Sequence, residues 1–316
     1  MEERKLKHQV VCRLWKFVVL LLAILVCANV SMASEYPSRP IKVIVPYAAG
    51  GGTDVMARAV AQYIDIGQPM VVINIEGGAS VVGTMEVYHS QPDGYTLLYN
   101  QMETMLIYAL TGVMPVPAWK EFEPVANVVR DASIISVRKG SMFSNFNDVI
   151  EYAKAYPGKL KWGTVGSGGA NHTVSLQIFE AAGIDANFVP YDGAAKSRPA
   201  LLGGHIDVLL SQISEIQSSI ETGEAIPLAV TTKDRSKFYP EVPSCSEFGI
   251  DVDMALHRAL WAPPGTPASI VSKIGEKVKE VTCIKDFISL MEDKLKYEVF
   301  FLDGSDMKLL YDQIAP

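Results

Sequence analysis

The sequence predicts an α/β protein of two lobes, and three observations lead there. Short β-rich runs alternate with helix-like segments of roughly ten residues, the pattern of mostly parallel sheets covered by helices. Glycine-rich turns join a strand to a helix at two well-separated places, "AAGGGTD" at 48–54 and "GTVGSGGANH" at 163–172. Ligands of open α/β sheets sit beyond the carboxyl ends of the strands, so two such turns in separate sheets offer two loops to one cleft. A chain of 316 residues, 49% hydrophobic and 20% charged, is long enough to core such a protein.

Residues 1–33 stand apart. Arg4, Lys5, Lys7, Arg13 and Lys16 precede the apolar run "FVVLLLAILVCA", and "SMA" precedes Ser34. That order describes a secretory signal peptide, and the run is short for a membrane span of about 20 residues. A retained anchor and lipidation at Cys27 are the alternatives; Val26 is bulky where a lipoprotein cleavage site takes a small residue.

After the leader, "IKVIVP" reads as a strand and "DVMARAVAQYI" as a helix with Val55, Ala59, Val60 and Tyr63 on one face. "MVVINI", "SVVGTMEVYHS" and "YTLLYN" continue as strand, helix and strand. "LKWGTV", "ANFVPY", "IDVLLSQ" and "IPLAVT" are later strands, separated by "NHTVSLQIFEAAG", "AKSRPALLGG" and "SEIQSSIETG". Strand "ALWAPP", helix "PASIVSKIGEKVKEV", a helix near "DFISLMEDKL", strand "YEVFFL" and a last helix close the chain. Pro92-Asp93-Gly94 and Pro157-Gly158 mark turns between units.

A net charge of −7 argues against a nucleic-acid partner. With Cys12 and Cys27 in the leader, Cys245 and Cys283 remain; their spacing fits no metal motif. They either pair or stay as small buried hydrophobes, the second being favoured. No cofactor is implied.

The chemistry of the two loops is backbone chemistry. A helix N-terminus leaves about four amides free and carries roughly half a positive charge, and glycine lets a ligand approach closely. Neither loop contains Lys or Arg, and neither matches a Walker or G-x-G-x-x-G motif. A small anion held by amides and hydroxyls fits better than a nucleotide. Asp54 reads as a helix N-cap, leaving ligand contact to the amides of Ala49, Gly50, Gly51, Gly52 and Thr53 and to the Thr53 hydroxyl. His172 reads as a packing or capping residue. Ser167, His172 and Asp207 could be drawn as a hydrolase triad, but no G-x-S-x-G elbow supports it.

The segments "YPSRPIKVIVPYAAGGGTDVMAR", "GQPMVVINIEGGASVVGT", "PGKLKWGTVGSGGANHT", "FVPYDGAAKSRPALLGGHIDVLLSQ", "LAVTTKDRSKFYPEVPSCSEFGI" and "LWAPPGTPASIV" resemble the substrate-binding proteins of tripartite tricarboxylate transporters, the Bug family. The resemblance implies a Venus-flytrap fold closing on a small organic carboxylate, with no covalent chemistry. It aligns Ala49 to Asp54 and Thr164, Gly166, Ser167, Gly168 and Gly169 with the family's carboxylate-gripping loops. It implies lobe 1 from 34–133 and 259–316, lobe 2 from 134–258, a monomer in the periplasm, and membrane transporter subunits as partners. A sensory binding protein is the other reading in that class. Relatives often carry Ser or Thr where Gly169 stands and an acid near Ser211. In "YNQMETM", Glu103 is expected near the cleft mouth, tuning ligand choice, or else as an exposed acid at a helix start. Arg258 is expected near the lobe crossover, facing a ligand carboxylate or a surface acid.

Cleavage is expected after Ala33. N-terminal sequencing of exported protein should start at Ser34; a chain beginning at Met1, or a lipid on Cys27, contradicts it.

Overall fold

The computed structural model describes residues 36–191 and 193–314; the expected leader lies outside the described residues. The chain divides into Met1–Ser38 and Arg39–Pro316, and every described helix and strand lies in the second part. It runs β1 (Ile41–Val45), α1 (Gly52–Tyr63), β2 (Met70–Asn74), α2 (Val81–Tyr88), β3 (Thr96–Gln101), α3 (Met102–Leu110), a short α4 (Ala118–Glu121) and a long β4 (Glu123–Arg138). Next come α5 (Phe146–Ala155), β5 (Lys161–Val165), α6 (Ala170–Ala182), β6 (Asn187–Tyr191), α7 (Ala194–Leu202), β7 (Val208–Gln212), α8 (Ile213–Glu221) and β8 (Ala225–Val230). The last elements are β9 (Ala255–Ala262), α9 (Ala268–Thr282), α10 (Lys285–Ile288), β10 (Glu298–Asp303) and α11 (Gly304–Ile314).

These strands make two sheets that share β4. In the first, β1 lies parallel between β2 and β3, and β9 runs antiparallel between β3 and β4. In the second, β5 lies parallel between β6 and β7, and β4 runs antiparallel to β7 and β8. The sheets are less parallel than the strand–helix alternation implies, because β4 is antiparallel to every strand it meets. It changes sheet in one step: Ala132 pairs with Ala255 in the first, and Ser133 with Gln212 in the second. The chain has returned to the first sheet by Ala255, ahead of the expected boundary at 258.

Each sheet has its own core. Trp162, Phe146, Ile178 and Cys245 are sealed together on the second, with the Trp162 indole N–H donating to Ser175 Oγ at 3.0 Å. Leu98, Phe122, Trp261 and Tyr311 pack on the first. Cys245 is buried and Cys283 exposed, both as free thiols, so only Cys245 is the small buried hydrophobe expected of both. On α1 the buried residues are Met56, Ala57, Ala59 and Val60, a face rotated away from the expected Val55 and Tyr63 because Asp54 and Thr53 also turn inward.

Close backbone approach fixes where α2 sits. A Cβ on Gly83 would lie 2.6 Å from the Ile75 carbonyl oxygen and 2.9 Å from Pro46 Cβ. Both obstacles belong to the ends of β2 and β1, so the helix cannot yield without moving those loops. Gly83→Ala should therefore lower stability by about 1–3 kcal/mol. A urea midpoint equal to wild type would show that α2 is not held at this contact.

Candidate functional site

The first glycine loop is held from behind by Asp54. Helix α1 is capped by the extended backbone of Gly51, not by Asp54, which stands two residues inside its first turn. The Asp54 carboxylate is 2% exposed and turns back to accept from the Gly50 amide at 2.8 Å. It also accepts from Arg58 Nε at 3.0 Å and Asn74 Nδ2 at 2.9 Å. Burial works against its charge, but these hydrogen bonds outweigh burial and hold the carboxyl below its usual value. The expected N-cap role is thus corrected: Asp54 braces the loop. It also follows that Gly50 is not free to bind a ligand through its amide, and the Gly51 amide donates to Ala48 O at 3.3 Å. The amides of Ala49, Gly52 and Thr53 have no partner among the described residues. Gly50 has φ +80°.

The second loop is built the same way with a different brace. Gly166 and Gly168 have φ of +77° and +78°. The Gly166 amide donates to Tyr191 O at 2.9 Å, and the Gly168 amide to His172 Nδ1 at 2.9 Å. The His172 ring lies 4.0 Å from that of Phe188, and burial lowers its basicity. With Nδ1 accepting, His172 is a loop brace. Asp207 accepts from the Lys161 amide at 2.8 Å, at the start of β5, whereas Ser167 follows its end. These three residues do not meet. The amides of Ser167, Gly169, Ala170 and Asn171 have no partner among the described residues. Thr164 is fully buried at the end of β5.

Both loops are anchored to the crossover point of β4. Arg258, 1% exposed, donates through Nη1 to Thr53 Oγ1 at 2.7 Å and through Nη2 to Asp131 at 3.1 Å. Its acid partner is the buried Asp131 and not a surface acid, and it ties the first loop to β4. A Cβ on Gly52 would meet Arg258 Nη2 at 2.9 Å and Tyr297 Oη at 2.7 Å, so this glycine admits the guanidinium behind the loop. The Thr53 hydroxyl, expected as a ligand contact, accepts from Arg258. Two residues along β4, Ser133 Oγ donates to Asn171 Oδ1 at 3.0 Å, and Gln212 Nε2 donates to the same oxygen at 2.9 Å. Asn171 is in the first turn of α6, so the second loop is tied down here.

Glu103 is not the exposed acid expected at a helix start; it is buried and paired. It is 6% exposed and accepts from the His257 amide at 2.9 Å, with its other oxygen 2.7 Å from His257 Nδ1. It joins the head of α3 to β9. Sequence reasoning also passed over a third turn, "EGGAS" between β2 and α2. Gly77, Gly78, Ala79 and Ser80 there have φ of +128°, +55°, +53° and +77°, and Ser80 is buried. Two consecutive non-glycine residues in the left-handed region are rare; the paired glycines before them were the available signal.

A braced glycine loop thus stands at the strand ends of each sheet, and the two are joined by a shared strand. The sequence matches the tripartite tricarboxylate transporter family receptors over residues 55–315. It is 31% identical to Protein BugT of Bordetella pertussis, over 86% of this chain and 82% of that one. It is 32% identical to a protein encoded in the TAR-I ttuE-ttuC' intergenic region of Agrobacterium vitis, over 86% of this chain and 79% of that one. Among solved structures it resembles the periplasmic binding protein BugD, with 28% identity and a TM-score of 0.78 over 88% of this chain and 94% of that one. A Rhodopseudomonas palustris protein solved with adipate gives 26% identity and a TM-score of 0.80 over 88% and 94%. MatC from Rhodopseudomonas palustris with bound malate gives 25% and 0.75 over 84% and 91%. The fold is the α/β periplasmic-binding-protein fold, and the chain belongs to the tripartite tricarboxylate transporter receptor family.

The anchor contains more acid than base. Ser214 Oγ donates to Asp131 at 2.6 Å, and Glu215 follows it with Oε2 sealed and unpaired. Burial pushes Asp131 up, against Arg258 and Ser214. Burial likewise pushes Glu215 from 4.5 to about 7, Arg258 opposing and Asp131 adding to the rise. A raised acid contributes stability that is fully present below about pH 4.5 and is lost as the pH rises through about 7. Urea midpoints should fall over that window, and Glu215→Gln should flatten much of the fall, at about 1.4 kcal/mol per unit of difference removed. An unchanged pH profile in the variant would place the titration elsewhere.

Proposed function

We propose that this chain is an extracytoplasmic solute-binding protein that captures a small organic di- or tricarboxylate and delivers it to a membrane transporter of the tripartite tricarboxylate type. The observation that carries this reading is the anchoring of both glycine loops to Asp131 and Ser133, two residues apart on the one strand that crosses between the sheets. On this reading the two sets of unpaired amides face one region. Neither loop offers a lysine or arginine, so the grip is by amides, hydroxyls and helix dipoles, which suits carboxylates. Family neighbours hold malate and adipate.

The two sheets act as lobes, with 34–133 and 259–316 forming one and 134–258 the other, apart from residues 255–258 of β9, which pair in the first sheet. The open form binds, and a ligand bridging both loops stabilises the closed form. The protein works in the periplasm as a monomer after losing its leader. It is not an enzyme on this reading: His172 Nδ1 is occupied by the Gly168 amide and Asp207 lies at the far end of β5. A sensory role would use the same cleft with a receptor as partner; uptake by a reconstituted transporter that depends on this protein separates the two.

Both loops should be necessary. No atom lies within 4 Å of a Cβ at Gly50 or Gly168, so valine there strains a positive-φ backbone and projects toward the ligand without a clash in the protein. Malate and adipate are the probes. Wild type saturated to about a hundred times the dissociation constant gains ~2.7 kcal/mol of stability. Gly50→Val and Gly168→Val should each bind about 10- to 100-fold more weakly, because the added side chain pushes the ligand off the unpaired amides beside it, about one hydrogen bond to a charged group lost. Variants that fold and bind as tightly as wild type would show that these loops do not hold the ligand.

A further inference from the structure

The head of α6 faces a tyrosine that comes from the other sheet. Tyr108 lies near the end of α3, on the first sheet, and is 4% exposed. Its ring packs into the first core with Met114 and Leu106. Its hydroxyl has no hydrogen-bond partner among the described residues. That oxygen would lie 3.3 Å from a Cβ on Gly169, with Cζ at 3.9 Å and Cε1 at 4.0 Å. Gly169 caps α6 without any side-chain bond, and the amides of Gly169, Ala170 and Asn171 are unpaired. A buried, unpartnered phenol is thus aimed from one lobe at the unpaired amides of the other.

The surroundings keep it a donor. Burial pushes the Tyr108 hydroxyl up, so it stays protonated at any pH at which the protein works. The nearby Tyr47 hydroxyl, also raised by burial and then by Tyr108, donates to Asn100 Oδ1 at 3.0 Å and makes no claim on Tyr108. Among the described residues no carboxylate is bonded to either phenol. An acceptor for Tyr108 from outside the chain would also meet the unpaired amides at the helix head, a setting that favours an anion.

We propose that Tyr108 is a ligand-contacting, specificity-determining residue: its hydroxyl joins the amides at the head of α6 in holding a ligand carboxylate, filling the place of a hydroxyl side chain at position 169. The proposal rests on the carboxylate-cleft reading above. It makes the second half of the site depend on a side chain from the first sheet, so the grip on that carboxylate forms only when the two sheets are close. The absence of a Cβ at Gly169 is then the complement of the tyrosine: either residue can supply the hydroxyl, and a Cβ at 169 would sit 3.3 Å from the phenol oxygen and crowd it.

The test is a swap read by isothermal titration, using whichever of malate and adipate binds wild type more tightly. Tyr108→Phe keeps the ring and should fold with an unchanged urea midpoint; its affinity should fall about tenfold or more. Gly169→Ser alone should also weaken binding, because its Cβ crowds the Tyr108 oxygen. The double variant Tyr108→Phe with Gly169→Ser should recover to within about threefold of wild type, since the Cβ then meets only Cζ at 3.9 Å and a hydroxyl is restored. Tyr108→Phe binding as tightly as wild type overturns the proposal, as does a double variant no tighter than Tyr108→Phe. If Gly168→Val loses binding while Tyr108→Phe keeps it, the cleft reading stands and this inference alone falls. If wild type binds neither acid, both fall.

Discussion

A single buried ion pair, Arg258 with Asp131, sets where everything else in the site can be. Burying a guanidinium and a carboxylate takes both out of water, and the attraction between them only roughly offsets that loss. Such a pair is a poor source of stability and a good source of position. Here it fixes the strand that crosses between the sheets, the Thr53 hydroxyl at the start of α1, and Ser214 at the start of α8. Gly52 follows from it: the guanidinium passes behind the first loop where any side chain would collide. Removing one partner would leave an uncompensated charge in the centre of the molecule, a loss of about 3–5 kcal/mol.

The second loop uses the same strand without charge. Side chains two residues apart on a strand share a face, so Asp131 and Ser133 reach the same side of β4. One holds the first loop through Arg258; the other holds Asn171 with help from Gln212. The proposed closure would turn about this stretch. Loops fastened at the pivot keep their aim while the outer parts of the sheets move, so the ligand would meet prepared amides rather than having to order them. The braces serve the same end. Asp54 and His172 each take a loop amide that points away from the ligand, which fixes the remaining amides at little conformational cost on binding.

Much of this was legible in the sequence, and the reason lies in local chemistry. Strand–helix alternation and glycine before a helix are short-range signals, and both loops stand where those signals put them. The crossover strand was not legible. β4 carries Pro124, Asn127, Arg130 and Asp131 and is buried along nearly its whole length, so it shows neither an apolar run nor two-fold alternation. The roles of Glu103 and Arg258 were hidden for another reason. Their partners His257, Thr53 and Asp131 are more than a hundred positions away, and nothing near them in the chain announces such a pairing. Both were expected to face the cleft because charged residues beside a site invite that reading; burial with a partner was the stronger pull. The third turn escaped because Ala79 and Ser80 are not residues from which a left-handed backbone is expected.

The charge arithmetic of the site bears on the ligand. Arg258 is neutralised by Asp131, so it offers a buried tie and no net attraction to an anion. What remains are the heads of α1 and α6, each equivalent to roughly half a positive charge that fades within a turn. Two such heads, with about two or three unpaired amides apiece, match two separate carboxylates better than one concentrated phosphate, which would draw on a lysine or a bidentate arginine. A ligand with one carboxylate would leave one head unsatisfied and would give no reason for the sheets to approach. A diacid satisfies both heads at once, and only when they are close. On the proposed reading, binding and closure would then be one event, driven by the same unpaired amides that the glycine turns expose.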